Sequence, residues 1–164
     1  MDVTSTFDAG DLSPAELAGA FADLPAALDG RLSQAATDIG ERLRSVAADN
    51  APVDTGQLQS SIESLVENVS QSLLRIRVGS NLDHAPVQEF GAGPFFPPPS
   101  ELRDWARRVL GDEEAAWPVA QSIAESGIEA QPYLKPALEE TVAWAVDRIN
   151  DAVTAAFEDV ELLQ

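Results

Sequence analysis

The sequence has no cysteine, a single histidine, His84, and a single lysine, Lys135, the other nine cations being arginines. Without a thiol, disulfides, thiolate catalysis and cysteine-ligated zinc are excluded, and no redox compartment can be read. No apolar run approaches the roughly 18 residues that a membrane-spanning helix needs. Met1–Gly10 lacks the basic and apolar regions of a secretory leader. The expectation is a chain that neither spans a bilayer nor leaves the cell by a standard signal. Glycine-rich phosphate loops, His-Glu-x-x-His and basic patches interleaved with aromatics are missing as well.

What is abundant is negative charge. Against 10 basic residues stand 28 acidic ones, a net charge of −18 over 164 residues. Such a surface repels phosphate and cannot release counterions from it, so neither specific DNA binding nor adhesion to an anionic membrane is expected. Hydrophobic residues still make up 45% of the chain, enough to fold. A domain of this length can bury about 70% of the surface its unfolded chain exposes. Acid-rich, lysine-poor, alanine- and valine-rich composition resembles that of proteins from extreme halophiles, where molar salt shortens the Debye length to about 3 Å or less. It points to a haloarchaeal source. An ordinary acidic protein is the alternative, and unfolding in low-salt buffer separates the two.

Residues 1–11 read as a flexible arm, 12–160 as one α+β domain and 161–164 as a tail. Ser13, Pro14 and Glu16 form a capping-box start for a short helix that ends near Pro25. Between residues 26 and 48, Leu28, Leu32, Ala36, Ile39, Leu43 and Val46 recur at helical spacing, and Pro52 stops that longer helix. Residues 62–68 and 73–79 read as a hairpin around Val69-Ser70-Gln71. In its second strand Leu74, Ile76 and Val78 alternate with Arg75 and Arg77. A third, shorter strand is expected at 87–90. Ser100 caps a helix closed by Gly111, and a further short helix spans 117–125. The last helix, 136–160, places Leu138, Val142, Ala145, Ile149, Val153, Ala156 and Val160 on one stripe. The expected fold class is therefore α+β: a small antiparallel sheet of three to four strands packed against two long helices, with short helices between. The open sheet face would carry Leu73, Arg75, Arg77 and Leu65 and would call for a neighbour.

Four segments stand out. In Pro52-Val53-Asp54-Thr55-Gly56, proline fixes one dihedral, Asp54 can accept backbone N–H groups two residues on, and Gly56 admits positive φ. Leu58, Ser61 and Ile62 follow into the sheet. A second segment runs from Val78-Gly79-Ser80-Asn81 through His84-Ala85-Pro86 to Glu89-Phe90-Gly91. The third is the loop 91–99, whose Phe95 and Phe96 must enter either this core or a neighbour's surface. In the fourth, Gln131 to Leu138, Tyr133 and Leu134 anchor the start of the last helix at Pro136.

In order and spacing, these segments resemble the phage HK97 gp10-like family of tail-component proteins, also called tail completion or neck proteins, over roughly residues 25–157. The family's tyrosine before Ala-Pro is replaced here by His84. The resemblance implies a structural virion protein at the head-tail junction, assembled in the host cytoplasm. It would act without cofactor, metal or catalytic residues. Expected partners are further copies in a ring, a hexamer by preference or a dodecamer, the head-side connector or stopper, and the tail terminator or tail tube. Genome DNA would pass through without specific binding. His84, Phe90, Phe95, Phe96, Arg75, Arg77, Tyr133 and Leu134 are the candidate interface residues. A tail terminator or stopper ring is the neighbouring alternative. From a different class comes a hydrolase or binding module built on His84 with Ser60, Ser61 or Ser80 and Asp54 or Asp83, although no nucleophile elbow is present.

Overall fold

The computed structural model describes residues 13–70 and 73–160. The expected arm and tail, and Gln71 of the expected turn, lie outside the described residues. In chain order the elements are α1 (Pro14–Asn50), α2 (Gln57–Ser61), β1 (Glu63–Ser70), β2 (Leu73–Gly79), α3 (Ala85–Phe90), α4 (Pro99–Leu110), a 3-10 turn (Glu113–Ala115), α5 (Ala116–Ser126) and α6 (Leu134–Asp159). The chain divides into two compact units. Of the described residues, one takes 13–43, 64–70, 73–78 and 140–160; the other takes 44–63 and 79–139.

In the first unit α1 opens as its sequence requires. The Ser13 N–H donates to the Glu16 carboxylate at 2.8 Å, and the Glu16 N–H donates to Ser13 Oγ at 3.3 Å. The helix does not stop near Pro25, however, but carries that proline inside it. Proline removes one intrahelical hydrogen bond at a cost of about 3 kcal/mol. The alanine- and leucine-rich turns on both sides favour continuing over breaking. Three rungs fix α1 antiparallel to α6: Arg31 grips Asp159 through two bonds of 2.7 Å, Arg148 donates twice to Asp38 Oδ2 at 2.9 and 2.7 Å, and Arg42 lies 4.8 Å over the Trp144 ring.

The sheet is smaller than expected: among the described residues it has two strands, β1 and β2, rather than three to four. Ser64 Oγ donates to the Glu41 carboxylate at 2.8 Å, tying the hairpin to α1. Gly40 makes the approach possible. A β-carbon there would sit 3.3 Å from Ile76 Cγ2 and 3.4 Å from Ser64 Cβ.

In the second unit the segment expected as a third strand, Val87 to Phe90, is helix α3. Pro86 in its first turn presets a helical φ, and Gly91 closes it with an N–H to Val87 oxygen at 2.8 Å. Those end signals outweigh the β-propensity of Val87 and Phe90. Directly after α3, Ala92 and Ile128 form an isolated antiparallel bridge with bonds of 2.9 and 2.8 Å. Gly91 and Gly127 precede its two members, both at positive φ (71° and 80°). A β-carbon on Gly127 would collide with the Ala92 carbonyl, and one on Gly91 would stand 2.6 Å from Ile128 oxygen. The helix expected from Ser100 starts at Pro99 and ends at Gly111 with φ 76°.

The interior is built mainly from alanine. Of the fifteen buried apolar residues among those described, eleven are alanine; the others are Ile39, Leu58, Ile62 and Tyr133. In the last helix this overturns the expected stripe. Of that stripe Ala156 is buried as expected, but Leu138, Val142 and Ile149 are exposed, and Ala137, Thr141 and Ala152 are buried instead. Small side chains allow the closest packing between backbones, so the alanine face wins the interior over the bulkier one.

Candidate assembly surfaces

The Pro52–Gly56 turn follows α1. Its left-handed residue is Gly56, at φ 77°. Asp54 does not cap its own turn. Its carboxylate takes both arms of the Arg108 guanidinium, at 3.2 Å from Nε and 2.7 Å from Nη2. That hydrogen-bonded cation holds the Asp54 carboxyl below its ordinary pKa. Val53 and Thr55 are exposed, Pro52 half-buried, and Leu58 and Ile62 are in the core. Ser61 Oγ meets Ser80 Oγ at 2.7 Å and also donates to Leu58 oxygen at 2.8 Å. This brings two of the sequence segments together, the end of α2 and the loop after β2.

His84 is exposed at the start of α3. Among the described residues no hydrogen bond joins it to Ser60, Ser61 or Ser80. Ser60 donates instead to Gln57 oxygen, and Ser80 Oγ accepts the Leu82 N–H. His84 shares the wall of an open groove of about 850 Å³ with Val53, Asp54, Phe95, Trp105 and Arg108. A second groove, of about 630 Å³, lies in the first unit, lined by Phe21, Leu24, Leu28, Leu73 and Ile149 among others.

Of the two places expected for Phe95 and Phe96, this subunit's interior is not the one adopted. Both are about half exposed, and Phe90 is 80% exposed. Arg75 and Arg77 point outward from β2. Tyr133 goes the other way: it is 1% exposed and belongs to the core, with Leu134 half-buried behind it.

What holds the start of α6 was not evident from the sequence. Glu89, on α3, is 7% exposed, and its carboxylate accepts the backbone N–H groups of Tyr133 (2.8 Å), Leu134 (2.8 Å) and Lys135 (3.0 Å). Burial works against its charge. The three donors, with the nearby Lys135 charge, outweigh that and hold the carboxyl below its ordinary pKa. A carboxylate at a helix N-terminus answers both the unpaired donors and the helix dipole. Burial and the Glu89 charge together push the Tyr133 phenol up. The signal that could have placed Glu89 was Pro86 and Gly91 at opposite ends of one short helix. Val142, Val146, Ile149, Phe21 and Trp117 were also missed as surface residues.

Fourteen large apolar side chains among the described residues stay exposed while the interior is filled with methyl groups. Residues 15–91 match the model of the HK97-gp10-like family, described as "Bacteriophage HK97-gp10, putative tail-component". The matched span contains the Pro52–Gly56 turn, the hairpin and α3. The Gln131–Leu138 segment, which also carried the resemblance, lies beyond it. No curated protein and no solved structure matches the chain. A family of phage tail components is consistent with a place in the virion tail or neck among other phage structural proteins. Among the described residues no helix is long and apolar enough to cross a membrane.

Proposed function

We propose that this chain is a tail completion or neck subunit of a tailed virus, forming a ring at the head-tail junction between the head connector and the tail tube. The family match over residues 15–91 supports the virion tail, and the exposed apolar side chains over an alanine interior support burial by neighbouring chains. The single observation that carries the reading is that inversion of size. Phe90, Phe95, Phe96, Val109, Leu110 and Trp117 lie outside, where water penalises them by about 25 cal/mol per Å² of apolar surface. Neighbouring copies and adjoining virion proteins would remove that penalty. A net charge of −18 repels the genome from the subunit surface, so DNA slides past without being held.

The test is electron microscopy of purified particles together with mass spectrometry of their proteins. Density for this chain in a ring below the portal, and its peptides at near-ring stoichiometry, is the expected result. Particles that lack the chain, or carry it only inside the head or at the distal tail tip, overturn the assignment.

A further inference from the structure

The β1–β2 hairpin is sorted by charge. Period-two spacing puts Leu65, exposed, and Glu67, half-buried, on one face of β1, and turns Leu73, Arg75 and Arg77 outward from β2. Glu63, the first residue of β1, has the same parity and is exposed. Leu65 is 54% and Leu73 48% exposed. On this face Arg77 Nε meets Glu67 Oε2 at 3.3 Å. Glu63 and Arg75 have no side-chain partner among the described residues, which leaves one anion on β1 and one cation on β2. Among the described residues each strand also has one side with no strand beside it, because the sheet ends at β1 in one direction and at β2 in the other.

We propose that the free edge of β2 in one copy pairs with the free edge of β1 in a second copy, setting Arg75 and Arg77 beside Glu63 and Glu67 of that copy. This deepens the assembly reading above by naming the contact, and depends on it only for the identity of the neighbour. For copies related by a rotation whose axis runs along the strands, strand directions are kept, so β2 of one against β1 of the next is antiparallel without rearrangement. The other pairings fail on charge. Joining β1 to β1 stacks glutamates, joining β2 to β2 stacks arginines, and like charges directly opposite destabilise a sheet. A uniformly basic partner would be repelled from β2 and a uniformly acidic one from β1; a second copy offers both signs in complementary order. The contact is head-to-tail, so each copy that joins leaves a new free edge. It therefore repeats, closing a ring where the rotation between copies brings the last edge back to the first. It also brings Leu65 and Leu73 under cover and satisfies edge backbone groups that otherwise invite irregular pairing.

The test uses two full-length variants, E63R/E67R and R75E/R77E. Self-association is followed by sedimentation velocity and native mass spectrometry, in a buffer where circular dichroism shows each protein folded. Wild type is expected to assemble. Each variant alone presents like charges at every β2–β1 junction, and its association weakens by about tenfold or more. Mixed in equal amounts, the two alternate around the assembly with every junction matched, and association returns. The quadruple variant, with the charges exchanged between strands, also associates. Wild type that stays monomeric, single variants that assemble as wild type does, or folded variants whose mixture stays monomeric would overturn the pairing. A chain that assembles in this way yet is absent from particles would overturn the virion reading alone. A chain present in particles whose assembly ignores these charges would overturn the pairing alone.

Discussion

Glu89 holds Tyr133 across 44 residues of sequence: its carboxylate accepts the tyrosine's backbone N–H at 2.8 Å and the next two N–H groups of α6 with it. Removing that carboxylate leaves three donors at the start of a long helix without their acceptor. Glu89→Ala is expected to lower stability by about 2–3 kcal/mol in urea unfolding, and Glu89→Gln by less, since the amide oxygen can still accept. The pH dependence has a definite sign. The folded pKa is depressed, so the carboxylate's contribution is complete above the unfolded glutamate value of about 4.3 and fades as pH falls through the lower folded value. The stability difference between wild type and Glu89→Gln should therefore narrow in acid, below about pH 4.

Gly127→Ala tests the bridge. The new β-carbon points at the Ala92 carbonyl from a residue at φ 80°, and a loss of about 2 kcal/mol or more is expected. Gly30→Ala is the contrasting change, with nothing within 4 Å of its β-carbon position in the middle of α1. It should gain up to about 1 kcal/mol. Chemical denaturation of both variants checks the pair.

Thr141 is 2% exposed, and its hydroxyl has no hydrogen-bond partner among the described residues. Thr141→Val keeps the shape and removes the unpaired group. Calorimetry should show stability raised by about 1 kcal/mol. A drop in melting temperature would mean that the hydroxyl is satisfied in solution.

The charge imbalance predicts a strong salt response. Raising salt from about 0.1 M to about 1 M cuts the Debye length from about 10 Å to about 3 Å and screens the self-repulsion of a chain carrying −18. Melting temperature should rise steeply over that range. A flat profile would favour an ordinary acidic protein over a halophilic one.

Sequence reasoning did best where a local residue dictates a local geometry. Ser13, Pro14 and Glu16 announced the start of α1, Gly111 the end of α4, and the alternation around Arg75 and Arg77 the second strand. It failed where two local signals compete. At Val87–Phe90, β-propensity suggested a strand while Pro86 and Gly91 enclosed a helix; at Pro25, a helix breaker sat inside a run of strong helix formers. It failed again where the answer is tertiary. Both the aliphatic stripe of α6 and its alanine face have helical period, and which one turns inward depends on the backbone packed against it. Among the candidate interface residues, Arg75 and Arg77 were legible as outward positions and Tyr133 as an anchor of α6, whereas the sequence left Phe95 and Phe96 open between core and surface, and the structure exposes them. The grip of Arg108 on Asp54, 54 residues apart, leaves no trace in spacing.

An interior lined with alanine restricts substitution in one direction only. At Ala35, Ala47, Ala106, Ala120, Ala137 or Ala156, each 0% exposed, a larger residue has no space to enter and only glycine or serine is near enough in size. Drift at these sites is thus confined to a few codons, whereas the phenylalanines and valines at the rim can exchange freely for other residues their neighbours accept. Two such proteins could therefore share a framework of tiny side chains while differing almost everywhere a visitor would touch.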